Sequence, residues 1–308
     1  MIAFVFPGQG SQYVGMCKEL YDGFGAAKST FEEASDVLGF DMVALCFGSS
    51  QSELSLTANA QPALLTASTA ALRVLESESS LRPDFVAGHS LGEYSALVAN
   101  GSMAFKDAVF VVRKRGEFMQ DAVPVGKGAM SAVLGLEIET LREICDTVSV
   151  DSRVASPANL NAPGQIVISG SSEAVTEASE MAKEKGAKRV VPLDVSAPFH
   201  CILMKPAAER LKEVLDGIEF REMSVPIVTN CDAAVNSDSS RTREILVRQV
   251  TSPVRWYESV ETLGREGVTR FIEIGPKNVL AGLIKRTIPD AEVGNLENKK
   301  QLESFKNG

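Results

Sequence analysis

Only two of the 308 residues are histidine, His89 and His200. Chemistry that needs an imidazole base therefore has few places to find one. Cysteine is sparse too. Cys17, Cys46, Cys145, Cys201 and Cys231 are odd in number, widely spaced and form no C-x-x-C pair. That pattern argues against a disulfide framework or a cysteine-built zinc site and fits a reducing compartment. Positive charge is in deficit: 31 Lys and Arg face 40 Asp and Glu, for a net charge of −9. A general nucleic-acid binder would carry a basic footprint instead. No apolar run approaches the ~18 residues of a membrane span. Residues 1–7 have neither the basic region nor the apolar length of a secretory signal. Repeats and low-complexity tracts are lacking. The expectation is a cytoplasmic protein with no metal site and no business with membranes or nucleic acid.

What is present is a globular composition, 44% apolar and 23% charged, enough for a sizeable core. The length allows one large domain or two unequal ones. The most informative stretch is Gly88-His89-Ser90-Leu91-Gly92, a G-x-S-x-G motif. Residues 83–87 before it read as a short buried strand, and residues 93–99 after it as a helix ended by Asn100-Gly101. Strand, sharp turn and helix are the context in which this motif presents a serine nucleophile. At a helix N-terminus, backbone N–H groups and the helix dipole favour developing negative charge. Ser90 then needs a base that reaches its Oγ. His89 is its chain neighbour and points away on a tight turn, which leaves His200. For a third member, Asp194 and Asp232 are the nearest acids downstream, and neither sits in a recognisable motif.

The rest of the chain alternates strand and helix. Residues 2–6 read as a buried strand followed by a Gly-rich turn. Gln61-Pro62 opens an Ala/Leu-rich helix to residue 75, and residues 106–120 form another. On that second helix Arg113 and Lys114 read as a solvated face. The middle changes character: strand 129–136, helix 137–148, strands 154–159 and 165–170 around the turn Asn161-Ala162-Pro163-Gly164, helix 173–185, strand 188–195. This β-α-β-β-α-β order is the ferredoxin-like pattern. Alternation then resumes, with helices at 203–215, 241–250, 257–263 and 279–287 and strands at 225–229 and 270–274. The fold expected is α/β: a large α/β-hydrolase-like domain with a mainly parallel sheet, residues 1–125 and 197–308, plus a ferredoxin-like subdomain, 126–196. Ser90 and His200 would meet in the cleft between them. The tail after Asn295 reads as a polar end.

These residues carry a family resemblance over nearly the whole length. Phe6-Pro7-Gly8-Gln9-Gly10-Ser11-Gln12, Gln61-Pro62-Ala63-Leu64, the Ser90 motif with Glu93, Arg115-Gly116, residues 159–165, Ala197-Pro198-Phe199-His200-Cys201, Arg248-Gln249 and Glu273-Ile274-Gly275-Pro276 occur in order and at family-like spacing. The chain resembles the malonyl-CoA:acyl carrier protein transacylases of bacterial fatty acid synthesis. The resemblance implies a ping-pong enzyme. Ser90 would take malonyl from malonyl-CoA, with His200 as base, and pass it to the phosphopantetheine thiol of acyl carrier protein. It implies an oxyanion hole from the backbone N–H groups of Gln9 and Leu91, and a His200 ring oriented by the Gln249 carbonyl. A carboxylate from Asp194 in that orienting role stays open as the alternative. It also implies a monomer needing no cofactor, coenzyme A thioester being a substrate.

Specificity follows from the same resemblance. Arg115 would point into the cleft and pair bidentately with the free malonyl carboxylate. His89 and Phe199 match the pattern of malonyl-selective polyketide acyltransferases, with Phe199 filling the space of an α-methyl. Gln61 and Asn161 would hydrogen-bond substrate or hold the elbow, or serve only as turn and cap residues. The charge cluster Lys183, Lys185, Lys188 and Arg189 would border the cleft and receive the acidic carrier, or serve only as a solvated helix C-terminus. A stand-alone polyketide acyltransferase and a serine hydrolase remain rival readings.

Overall fold

The computed structural model describes residues 1–195 and 197–306. The expected domain limits at 196 and 308 lie outside those residues. Ten strands occur among them: β1 (Ile2–Phe6), β2 (Phe85–Gly88), β3 (Gly128–Leu134), β4 (Ala155–Ala162), β5 (Gln165–Ser171), β6 (Arg189–Pro192), β7 (Ile227–Val228), β8 (Val235–Asn236), β9 (Arg270–Ile274) and β10 (Glu292–Leu296). They form two sheets.

The larger sheet has the order β10-β9-β1-β2-β7-β8. Every pairing in it is parallel except that of β8 with β7. Its central strands are apolar throughout because both faces are covered. Successive side chains point to opposite faces, so one strand feeds two cores. Phe4 and Phe6 of β1 join the core built on the Thr57–Glu78 and Phe105–Asp121 helices. Ala3 and Val5 join Trp256, Val260 and Leu283 on the other face.

The smaller sheet, β4-β5-β3-β6, is antiparallel throughout. Helices Ile138–Val148 and Ser172–Glu184 pack with it around a third core that includes Val133, Leu141 and Ile168. This is the expected β-α-β-β-α-β unit. It is tied to the main body at β4, where Leu160 N–H donates to Val254 O and Val254 N–H to Ala158 O, both at 2.8 Å.

Several local expectations shift. The Ala/Leu-rich helix begins at Thr57, four residues before Gln61, so Pro62 lies inside it. Proline removes the bond that the carbonyl four residues back would receive. That carbonyl is Ala58 O, and Arg113 Nη1 donates to it at 3.0 Å. Arg113 also bonds Asn59 and Glu117, so it is a brace between helices rather than a solvated charge. β4 runs on through Asn161 and Ala162, which leaves Pro163-Gly164 as the turn, with Gly164 at φ +65°. β6 stops at Pro192 instead of reaching residue 195. As far as Lys306 the tail is structured: β10 pairs with β9, and a helix over Lys299–Lys306 buries Leu302 and Phe305. Two apolar residues at i, i+3 on a polar segment are enough to dock such a helix.

Candidate active site

The Ser90 elbow is built where β2 ends at Gly88 and the Gly92–Ala99 helix begins. The left-handed residue is Ser90 itself, at φ +51°. A non-glycine residue held there carries strain that its surroundings must offset. The two glycines serve close approach. A Cβ on Gly88 would fall 2.0 Å from the Gly92 carbonyl carbon, and one on Gly92 would fall 2.1 Å from Phe6 O. The elbow therefore lies directly on the end of β1.

Three amide contacts hold Ser90 in that conformation. Its N–H donates to Asn230 Oδ1 at 2.7 Å. Asn230 Nδ2 donates to Gly88 O at 2.6 Å. Gln249 Nε2 donates to Ser90 O at 3.0 Å.

His200 is 3% exposed and also left-handed, at φ +59°. Its Nδ1 lies 2.9 Å from Gln249 O. A carbonyl only accepts, so Nδ1 carries the proton and Nε2 is free to accept from the Ser90 hydroxyl at 2.7 Å. Burial, reinforced by the nearby Arg115 charge, pushes the imidazole pKa down from 6.5 to about 3. A neutral ring is the form that can take a proton. Neither candidate acid contacts it: Asp194 is an exposed residue at the cavity wall, and Asp232 pairs with Arg248.

Arg115 is 1% exposed. Its helix lies against the start of the Thr57–Glu78 helix at Gly116, where a Cβ would come 2.7 Å from Thr57 O. Arg115 Nη2 donates to Ser90 Oγ at 3.1 Å and to Gln249 Oε1 at 3.0 Å, and Nη1 donates to Gln61 Oε1 at 2.9 Å. No carboxylate pairs with it among the described residues, and its Nε has no hydrogen-bond partner. A buried cation normally has a counter-ion. This one instead lines a cavity of about 480 Å³ that also holds Ser90, His200, Gln9, Leu91 and Phe199.

Across the cavity, Gln9 lies in the turn after β1 that Ser11 N–H closes onto Gly8 O, and its side chain donates to Thr57 Oγ1 at 3.2 Å. Among the described residues, no acceptor is found for the backbone N–H of Gln9 or of Leu91. His89 lines the cavity with its ring turned away from Ser90, and its Nε2 donates to Asn161 Oδ1 at 2.8 Å. Burial lowers its pKa. Asn161 thus fixes the elbow from behind and does not line the cavity; Asn159 does.

Two expectations need correction or addition. Lys188 and Arg189 are exposed but do not border the cavity. The cavity meets this sheet at Met130 and Leu193, whereas Arg189 pairs with Leu134 at the other end of β6. At ~3.3 Å per residue that is about 13 Å away. Conversely, sequence reasoning missed Asn230, the Glu93 carboxylate and the side-chain role of Gln249. Glu93, 1% exposed, accepts from Asn230 N at 2.9 Å and Gln249 Nε2 at 3.0 Å. A lone acid in the apolar stretch Leu91-Gly92-Glu93-Tyr94-Ser95-Ala96-Leu97 was a usable signal. Asn230 offered none.

Known proteins share this arrangement. The acyl transferase domain model matches residues 3–303. A malonyl CoA-acyl carrier protein transacylase of Bacillus subtilis is 56% identical over 285 residues, 92% of this chain and 90% of that protein. An acyl-carrier-protein S-malonyltransferase of Burkholderia pseudomallei superposes with a TM-score of 0.96 at 46% identity, covering 100% of this chain and 99% of that one. A malonyl-transacylase solved in complex with a type II PKS acyl-carrier protein gives a TM-score of 0.97, also at 46% identity, covering 100% and 99%. Since the match runs through both sheets and the elbow alike, the chain belongs to the acyl transferase domain family, among the malonyl CoA-acyl carrier protein transacylases.

Proposed function

We infer that the protein moves a malonyl group from coenzyme A to the phosphopantetheine thiol of an acyl carrier protein, by way of a malonyl ester on Ser90. The observation that carries the substrate is Arg115. A buried guanidinium without a counter-ion, one hydrogen bond from the nucleophile, suits an acyl group that ends in its own carboxylate.

The steps follow from the geometry. Ser90 Oγ attacks the thioester carbonyl while its proton passes to His200 Nε2. The carbonyl oxygen becomes an oxyanion, and the backbone N–H groups of Gln9 and Leu91 are the donors available to it. The C–S bond breaks, and His200 returns the proton to the departing thiolate. The carrier thiol then attacks the ester carbonyl, gives its proton to His200, and expels Ser90 Oγ, which takes the proton back. Covalent catalysis lets two bulky carriers use one cleft in turn. Acyl transfer of this kind calls on no separate cofactor, since both carriers are substrates. Gln249 O fixes the His200 tautomer and stabilises imidazolium less than a carboxylate does. Phe199 narrows the cavity beside His200, which favours malonyl over α-methyl homologues by about 1–3 kcal/mol. In this reading residues 1–125 and 197–308 form the catalytic body and 126–196 the insert, and the product feeds chain elongation in fatty acid synthesis.

Intact-protein mass spectrometry tests the reading. Malonyl-CoA should leave one malonyl adduct, absent in Ser90→Ala, that moves to added holo acyl carrier protein. An adduct lost to water without the carrier would make the protein a hydrolase and overturn the proposal.

A further inference from the structure

Glu93 is a buried acid that the steps above never use. It stands three residues after the nucleophile, on the first turn of the elbow helix. Its Oε2 accepts two N–H groups, Asn230 N at 2.9 Å and Gln249 Nε2 at 3.0 Å. Each donating residue leads back to the reacting centre. Asn230 holds Ser90 N and Gly88 O. Gln249 has a backbone carbonyl on His200 Nδ1, a side-chain Nε2 on Ser90 O, and a side-chain Oε1 on Arg115 Nη2.

A primary amide has two ends, and only its partners decide which faces which way. Turned over, the Gln249 amide would put N–H against the Arg115 N–H donors and oxygen against three acceptors, Ser90 O, Glu93 Oε2 and, at 3.4 Å, Asn230 Oδ1. A carboxylate acceptor holds an N–H more strongly than a neutral carbonyl does. Glu93, the one carboxylate among the groups that accept from the Gln249 amide, is therefore the strongest acceptor on its nitrogen.

We propose that Glu93 is a positioning residue: it holds the Gln249 amide in the orientation that gives Arg115 its acceptor, and so couples the serine elbow to recognition of the acyl carboxylate. The negative end of the chain Glu93–Gln249–Arg115 is separated from the guanidinium by one amide. Arg115 is thereby held in place without being neutralised by direct contact, and its donors stay available to an incoming carboxylate. Burial raises the Glu93 carboxyl from 4.5 to about 7, against the pull of Asn230 N–H, Gln249 and Arg115. The proposal rests on the malonyl-transfer reading.

The test is the ratio of kcat/KM for loading malonyl against loading acetyl, from their coenzyme A thioesters, on the intact chain. Glu93→Leu, which removes both acceptor oxygens, should lower that ratio about tenfold or more, mainly by raising KM for malonyl-CoA. Glu93→Gln, whose amide oxygen can accept the same two N–H groups, should bring it back to within about threefold of wild type. Should Glu93→Leu fail to fold, Gln249→Met reads the same link. It removes the bridging amide, keeps the backbone carbonyl on His200, and should lower the ratio in the same way. An unchanged ratio in a folded Glu93→Leu or Gln249→Met protein, whatever the loss of overall rate, would make Glu93 a packing residue and overturn the coupling. Failure of the wild-type protein to load malonyl would instead overturn the functional reading itself.

Discussion

Replacing Arg115 by alanine separates carboxylate recognition from acyl transfer. A guanidinium has five N–H donors. Three are engaged, by Gln61 Oε1, Ser90 Oγ and Gln249 Oε1, which leaves two without an acceptor among the described residues, one of them the buried Nε–H. Hydrogen bonds to a charged group contribute about 1.5–3 kcal/mol each. Two of them give about 3–6 kcal/mol, in line with the roughly 3–5 kcal/mol lost when one partner of a buried ion pair is removed. At about 1.4 kcal/mol per factor of ten, about 3 kcal/mol is over a hundredfold and about 5 kcal/mol a few thousandfold. Part of any fall in rate will be common to all acyl groups, because Arg115 also donates to Ser90 Oγ. The ratio of malonyl to acetyl loading cancels that part. Timed acid quench followed by intact-mass measurement of the acyl-enzyme gives both rates. Arg115→Ala should lower the ratio by at least a hundredfold. A mutant in which both substrates slow by the same factor would refute the carboxylate role and leave Arg115 as an activator of the serine only.

Three further outcomes are expected. Asn230→Ala strips the acceptor from Ser90 N–H and the donor from Gly88 O, so chemical denaturation should show a loss of about 2–4 kcal/mol; an unchanged midpoint would mean that the left-handed serine needs no such clamp. Gly92→Ala should not give soluble protein, because its Cβ meets Phe6 O at 2.1 Å, whereas Gly101→Ala, left-handed at φ +77° but with open space around it, should cost only about 1–2 kcal/mol. Expression and thermal melting of the pair distinguish close approach from backbone strain. Burial raises the Glu273 carboxyl to about 7, against the N–H groups of Leu280 and Ala281 that it accepts. The folded state then binds a proton that the unfolded state, at 4.5, releases earlier. The stability this proton confers is full below about pH 4.5 and is lost as pH rises through about 7. Glu273→Gln should flatten that loss, read as the difference in urea midpoint between pH 5 and pH 8; an equal fall in both proteins would contradict the assignment.

The parts of the fold legible in the sequence were those with a strong local period or a strong local stop. The apolar run at residues 2–6, the G-x-S-x-G turn and the β-α-β-β-α-β alternation of the insert all have that property. The start of the Thr57–Glu78 helix was missed because Pro62 is a local stop signal, overridden here by Arg113 reaching across to Ala58 O. The tail helix was missed because only Leu302 and Phe305 mark it against a polar background. Lys188 and Arg189 clustered in the sequence, yet charge spacing says nothing about which end of a strand faces a cavity.

Within the site, sequence alone determined the chemistry on offer: one serine in an elbow, one histidine able to reach it, and a second, His89, that points away as its chain neighbour. It could not decide what orients that histidine or why an arginine is buried. Those answers come from contacts 49 and 134 residues apart along the chain, from His200 to Gln249 and from Arg115 to Gln249. Backbone carbonyls and amide side chains are the groups involved, and every residue has the one while Asn and Gln are common. A carbonyl leaves no mark in a sequence. Only the packing of the parallel sheet against its helices brings Gln249 between the base, the nucleophile and Arg115, where one residue can serve all three.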